Sequence, residues 1–212
     1  KPDQLWYADD VFTIKHKWFY EYADELKRRN IRIPFECISR ADRLNDEAID
    51  RLVEMGCYRL WIGSESGSQN VLDEMRREVK VEQVQAMTHA LKKRGIETGM
   101  FIMLGYEGEE QIDLAATVDH LKKAAPDVFL TTVAYPIKGT AYYQKVEDRV
   151  LAKADWEQRT DRQLSVKGRH SMRFYSFATR WMVNSVALHR ERSHGANLAR
   201  LTRTAAKVVV GR

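Results

Sequence analysis

The sequence predicts a parallel α/β fold, a partial TIM-type barrel of strands and helices followed by a helical C-terminal region. Three observations carry this. Five short apolar runs each stop abruptly in polar residues, amphipathic stretches of helical period separate them, and several runs lie about 27 residues apart. Such alternation implies a parallel sheet with right-handed crossovers. A doubly wound open sheet is the competing arrangement. Neither G-x-G-x-x-G nor G-x-x-x-x-G-K-[ST] follows any strand, so the nucleotide-binding forms of that sheet lose support.

The first strand is Leu5-Trp6-Tyr7-Ala8, ending in Asp9-Asp10. A helix over His16 to Arg29 places Trp18, Phe19, Tyr22, Ala23 and Leu26 on one face. Asn30 is its stop signal, and the cations Lys27, Arg28 and Arg29 suit the negative end of its dipole. The second strand lies within Ile31 to Ile38, with pairing expected only after Pro34, which has no N–H to donate, and it ends at Ser39-Arg40. Asn45 caps the next helix, whose buried face is Ala48, Ile49, Leu52 and Val53 and whose end is Gly56. The third strand, Cys57 to Ile62, opens into Gly63-Ser64-Glu65-Ser66-Gly67. Residues 68–94 read as two helices closed by Gly95. A fourth strand, Ile96 to Leu104, leads into Gly105-Tyr106-Glu107-Gly108-Glu109. A helix on Leu114, Val118 and Leu121 precedes the fifth strand, Val128 to Tyr135. Beyond Pro136 the character changes: residues 154–164 are polar, a helix over 170–192 carries Phe174, Phe177, Trp181 and Leu188, and a final helix carries Leu198, Leu201, Ala205 and Val208. The expected division is a barrel over residues 1–150 and a basic helical region over 151–212.

With 212 residues, 44% hydrophobic and 31% charged, the chain can bury a core of its own. No run approaches the ~20 apolar residues of a membrane span, and no signal peptide is evident, so a cytoplasmic protein is expected. Lys1-Pro2-Asp3 runs straight into a strand, which reads as an excised fragment with sequence missing upstream. Cys37 and Cys57, the only cysteines, are flanked by apolar residues and read as buried thiols; they supply neither a disulfide framework nor a four-ligand metal site. Residues 169–212 hold nine Lys or Arg against Glu191 alone, a net +8 that leaves −3 for the remainder of a chain with net charge +5. That basic region suits solvated helix faces, RNA, an acidic domain or an anionic surface.

Side chains at the carboxyl ends of barrel strands converge on one mouth. Collected there are Asp9, Asp10, Glu36, Ser39, Arg40, Ser64, Glu65, Ser66 and the loop from Gly105 to Glu109. Carboxylates and hydroxyls suit ribose hydroxyls and an ammonium group, while Arg40 or Arg77 offers a planar fork for a carboxylate. Other chemistries fit poorly. Gly63 to Gly67 holds glutamate where a nucleophile elbow needs serine. The six histidines lack ligand spacing. No core strand ends in lysine, although Lys138 lies just past the fifth.

Five segments in family order resemble the radical S-adenosylmethionine (SAM) enzymes, in the branch containing cobalamin-binding members and tRNA methylthiotransferases. They are Tyr7-Ala8-Asp9-Asp10-Val11-Phe12, Arg40-Ala41-Asp42-Arg43-Leu44, Gly56 to Gly67, Leu72 to Arg77, and Gly105 to Glu109, within residues 4–137. The resemblance implies the third to seventh strands of a radical SAM core. Glu36 or Ser39 would approach the SAM ribose, Glu65 would sit beside the cofactor, Arg77 would hold its carboxylate, and the Gly105 loop would lie near adenine. It implies SAM and a [4Fe-4S] cluster as cofactors, cobalamin bound by an upstream domain, and an electron donor such as flavodoxin or ferredoxin. The implied function is reductive SAM cleavage to a 5′-deoxyadenosyl radical in a cobalamin-dependent methyltransferase or cyclase-like enzyme acting on a small molecule. An RNA-modifying methylthiotransferase and a non-catalytic scaffold binding a partner through its basic helices are the alternatives. The family's C-x-x-x-C-x-x-C loop and glycine-rich methionine-binding segment are absent, and Glu107 stands where many relatives have proline. This chain alone is therefore expected neither to assemble the cluster nor to cleave SAM.

Overall fold

The computed structural model describes residues 2–151, 164–193, 195 and 198–211. Five strands, β1 (Leu5–Tyr7), β2 (Phe35–Ser39), β3 (Cys57–Glu65), β4 (Glu97–Leu104) and β5 (Val128–Val133), pair in sequence order, every neighbour parallel. The sheet forms a partial α/β barrel. Its crossovers are α1 (His16–Arg28), α2 (Asp46–Met55), α3 (Gln69–Glu74) with α4 (Val81–Lys93), and α5 (Gln111–Ala124).

The helix signals act where the sequence places them. Asn45 accepts a hydrogen bond from the Ala48 N–H, capping α2, and Gly56 ends that helix in a left-handed conformation. Asn30 is left-handed at the end of α1, where the N–H groups of Asn30 and Ile31 return to the carbonyls of Lys27 and Leu26. That pair is a Schellman cap. Pairing of β2 begins at Phe35, one residue past the proline, while the Pro34 carbonyl accepts from Leu5.

Alternation sorts the strand residues onto two faces. Phe35 and Cys37, Leu60 and Ile62, and Met100, Ile102 and Leu104 face the helices and are buried with Phe19, Leu52, Leu72, Leu91 and Leu121. The concave face carries Glu36, Arg59, Trp61, Gly63, Glu97, Gly99, Phe101 and, at the exposed edge, Leu130. Near the amino ends of the strands, Arg59 lies between Glu36 (3.4 Å) and Glu97 (2.7 Å), and the Trp61 Nε1–H donates to Glu36 at 2.9 Å. These groups form the barrel floor. Above them the Trp61 indole lies across Gly99 and stacks on Phe101, ring centroids 4.9 Å apart.

After β5 come α6 (Ala141–Val146), capped by Thr140, and a short antiparallel pair, β6 (Val150–Leu151) with β7 (Ser165–Val166). The sequence reading missed α6, β6 and β7, and β6 straddles the expected boundary at residue 150. The polar stretch 154–164 falls, apart from Leu164, outside the described residues. Helix α7 (Met172–Ser193) packs against α5, and α8 (Leu198–Gly211) packs against α7. The buried face of α7 is Tyr175, Ala178, Met182, Ser185 and Val186. The expected Phe174–Phe177–Trp181 face is thus corrected by one residue, about 100° of rotation. These rings border the groove beside α5, with Phe174 and Trp181 half-buried against the core that Tyr175, Ala178, Met182 and Val186 enter.

Gly99 gives the fold its sharpest steric test. A Cβ there would lie 2.5 Å from Trp61 Cδ2. Gly99→Ala should destabilise the chain by about 2 kcal/mol through overpacking, read as a lower urea midpoint at unchanged slope.

Candidate functional site

Strand β3 breaks its regular ladder at its carboxyl end. Pairing with β4 shifts between Gly63 and Glu65, and Glu65 adopts φ +61°, a left-handed conformation uncommon outside glycine. Alternation still sends neighbouring side chains to opposite faces. Ser64, fully buried, meets His120 Nε2 of α5 at 2.9 Å, and Ser66 meets Thr117 Oγ1 at 3.1 Å. The Gly67 N–H donates to the same threonine, and a Cβ on Gly67 would lie 2.6 Å from the Thr117 Cα. Both serines and Gly67 therefore tie β3 to α5. Glu65 alone of this motif turns to the concave face.

Arg77 reaches the same place from the other side. At the end of α3, the Arg76 N–H bonds to the Asp73 carbonyl and the Arg77 N–H to Leu72, another Schellman cap with Arg76 left-handed at φ +54°. Glu78 is also left-handed, at φ +52°. This turn sends the Arg77 guanidinium over β3, where Nη2 donates to the Gly63 carbonyl at 3.0 Å and lies 3.3 Å from Glu65 Oε1. A Cβ on Gly63 would fall 3.0 Å from Nη2 and 3.1 Å from Oε1, so a side chain there would press on both ends of the pair. Arg77 Nε is buried and has no partner among the described residues. Burial pushes the Glu65 carboxyl up, an effect that Arg77 opposes.

Among the expected site residues, the structure brings together Glu65, Arg77 and Arg40. Arg40 grips Asp42 through Nε (2.7 Å) and Nη2 (3.1 Å), and Nη2 also donates to the Arg77 carbonyl at 3.0 Å. The Arg40 fork, expected to take a ligand carboxylate, is occupied by Asp42 of its own chain. Glu36, expected at a strand end, is corrected to the floor, because it is the second residue of β2 and pairs with Arg59. Ser39 faces the helix side, bonded to Thr13 at 2.6 Å and fully buried. Asp9 and Asp10 are exposed beyond β1.

Gly105, at φ +72°, donates its N–H to Glu109, whose carboxyl burial pushes up to about 7 against that hydrogen bond. The face left open by its missing side chain is filled by Arg169 and Tyr175; a Cβ would lie 2.6 Å from the Tyr175 ring. Sequence reasoning missed this cover, because nothing local connects residues 105 and 169. It also missed His120, whose signal lay in the helix pattern: Thr117, His120, Leu121 and Ala124 share the buried face of α5. Among the described residues no three His, Cys, Asp or Glu side chains converge as a metal site, and Cys37 and Cys57 are core thiols.

A family model described as the radical SAM superfamily matches residues 11–121. An uncharacterized methyltransferase of Pyrococcus horikoshii is 23% identical over 158 residues, covering 74% of this chain and 34% of that protein. The anaerobic magnesium-protoporphyrin IX monomethyl ester cyclase of Rubrivivax gelatinosus is 28% identical over 145 residues, covering 68% and 26%. The chain thus spans about a third or less of these relatives. Among solved structures, the cobalamin-dependent S-adenosylmethionine radical enzyme OxsB with aqua-cobalamin bound aligns at a TM-score of 0.62 and 14% identity, covering 99% of this chain and 39% of that one. That is a likeness of fold.

Burial lowers the His120 imidazole from 6.5 to about 4, so the ring is neutral near pH 7. Between these values the unfolded state binds the extra proton, and stability rises with pH. The contribution of about 3 kcal/mol present above pH 6.5 is lost as pH falls to 4. Glu109 acts in the opposite sense over an overlapping range, because its folded carboxyl holds a proton that the unfolded one releases. The comparison is therefore with His120→Gln. Urea denaturation from pH 7 to 4 should show the parent losing about 3 kcal/mol relative to the variant, and parallel curves would contradict the assignment.

Proposed function

This chain belongs to the radical SAM superfamily, and on that premise we propose that it supplies the part of the SAM site that grips the cofactor's amino-acid end and ribose side. Arg77 would take the α-carboxylate through its planar fork. Glu65 would accept from the cofactor's ammonium or ribose hydroxyls. The observation that carries this is the pairing over Gly63 of two part-buried groups, Glu65, itself left-handed, and Arg77, flanked by the left-handed Arg76 and Glu78, with Arg77 Nε buried and without a partner among the described residues. Non-glycine residues held left-handed cost of order 1 kcal/mol each, and such strain concentrates at ligand sites. A guanidinium fixed before binding loses little freedom when a carboxylate arrives, and low exposure strengthens the contact. Gly105 and its loop complete the wall toward the adenine.

The residues present fit SAM and do not fit the cluster. A [4Fe-4S] cluster with an open iron needs three thiolates from one loop, whereas this chain has two cysteines, both in its core. In this proposal the cluster ligands and the cobalamin domain lie on sequence beyond these 212 residues. The whole enzyme would cleave SAM reductively and perform methyl transfer or a radical cyclisation on a small-molecule substrate in the cytoplasm, with electrons from a flavodoxin- or ferredoxin-type donor. The methyltransferase and cyclase relatives support this reading over RNA modification.

Calorimetric titration of the chain with SAM tests it. Arg77→Ala should weaken binding about tenfold or more, the loss of one charge-assisted contact, and Glu65→Gln several-fold. Unchanged affinity in both folded variants would refute the assignment. Full-length protein carrying the three-cysteine loop, reconstituted and given dithionite, should release 5′-deoxyadenosine above a control lacking SAM.

A further inference from the structure

We propose that Arg40 is a positioning residue for the cofactor site, holding the backbone turn that presents Arg77; this rests on the reading of Arg77 as the carboxylate grip. Thr13 Oγ1 donates to the Arg43 carbonyl at 2.9 Å and sits 2.6 Å from Ser39 Oγ. These contacts fasten the 3-10 turn Ala41–Arg43 to the end of β2. On that turn Asp42, its side chain 20% exposed, receives two hydrogen bonds from Arg40. The guanidinium is thereby fixed in orientation, and its remaining reach ends on the Arg77 carbonyl.

Residue 77 requires such a hold. The flanking Arg76 and Glu78 are both left-handed, a conformation that costs each side chain free energy and that the turn would relax if untethered. The Schellman bonds fix where the turn starts, but they act on the N–H groups of Arg76 and Arg77 and leave the Arg77 carbonyl to be held from outside. Arg40 holds it. A path of direct contacts thus runs from Ser39 and Thr13 through Arg43, Asp42 and Arg40 to Arg77, and from Arg77 to Gly63 and Glu65. This gives the Arg40-Ala41-Asp42-Arg43-Leu44 segment a physical role: it braces the ligand-binding arginine from behind without touching the ligand.

The test is a double-mutant cycle on SAM affinity, combined with hydrogen–deuterium exchange on the ligand-free chain. Arg40→Ala should weaken SAM binding about fivefold to tenfold in the parent, and by less than about twofold when Arg77 is already alanine. Exchange of the peptide spanning residues 75–80 should rise in Arg40→Ala, with the melting temperature close to the parent's. Arg40→Lys, which keeps the charge but cannot bridge Asp42 and the carbonyl with one fork, should recover little. Equal losses in both backgrounds, or unchanged exchange at residues 75–80, would overturn the proposal. If Arg77→Ala itself leaves SAM affinity unchanged, the ligand role of Arg77 fails instead. The exchange measurement then still decides whether Arg40 holds the turn.

Discussion

Everything at the barrel mouth depends on the end of β3, which leaves β2 at Ile62 and runs on to Glu65 along β4 while covered by helices on one face. In such a strand alternation assigns each side chain to a side, and a regular ladder would place Glu65 with the concave residues only by giving Ser64 and Ser66 to the helix layer. Ser64 and Ser66 do face that layer, so the faces follow from alternation, and the bulge at Ser64 shifts only the register against β4. The serines reach His120 and Thr117, the chain tightens through the left-handed Glu65, and the carboxylate emerges over Gly63 beside Arg77.

The polar groups on the two sides of β3 are handled differently. Behind the strand, Gln85 and Ser64 hold the two nitrogens of His120, at 3.2 and 2.9 Å, so a neutral imidazole is buried with its hydrogen-bonding capacity used. On the concave side Arg77 Nε has no partner among the described residues, and the pair sits in a strained frame, Glu65 itself left-handed and Arg77 flanked by the left-handed Arg76 and Glu78. Saturated groups rigidify a fold, whereas unsaturated ones in a strained frame are ready for a partner.

Local chemistry made much of this legible. Asn30, Asn45, Gly56, Gly95 and Pro34 each act through the backbone of their own few residues, so strand and helix limits follow from composition. Depth along a strand does not. Glu36 is two residues into β2, and only the register opposite Arg59 and Glu97 places it at the floor rather than the mouth. Ser39, three residues on, belongs to the opposite face. The face of α7 was misjudged because aromatic size outweighed position; Phe174 and Trp181 only border the core that Ala178 and Met182 enter. Glu65 stood out because it follows the abrupt end of an apolar run, and Arg77 because it closes one of the segments that carry the family resemblance.

The cover on Gly105 bears on how the protein can be divided. The family match ends at residue 121, yet Arg169 and Tyr175 occupy the space against Gly105, and Met182 and Val186 belong to the same apolar cluster as Leu104 and Leu114. The segment that the family model matches is therefore smaller than the unit that buries its own core. A piece cut at the end of that segment would bare Gly105 and open the apolar cluster on the α7 side, so the C-terminal helices are part of the smallest unit expected to fold by itself.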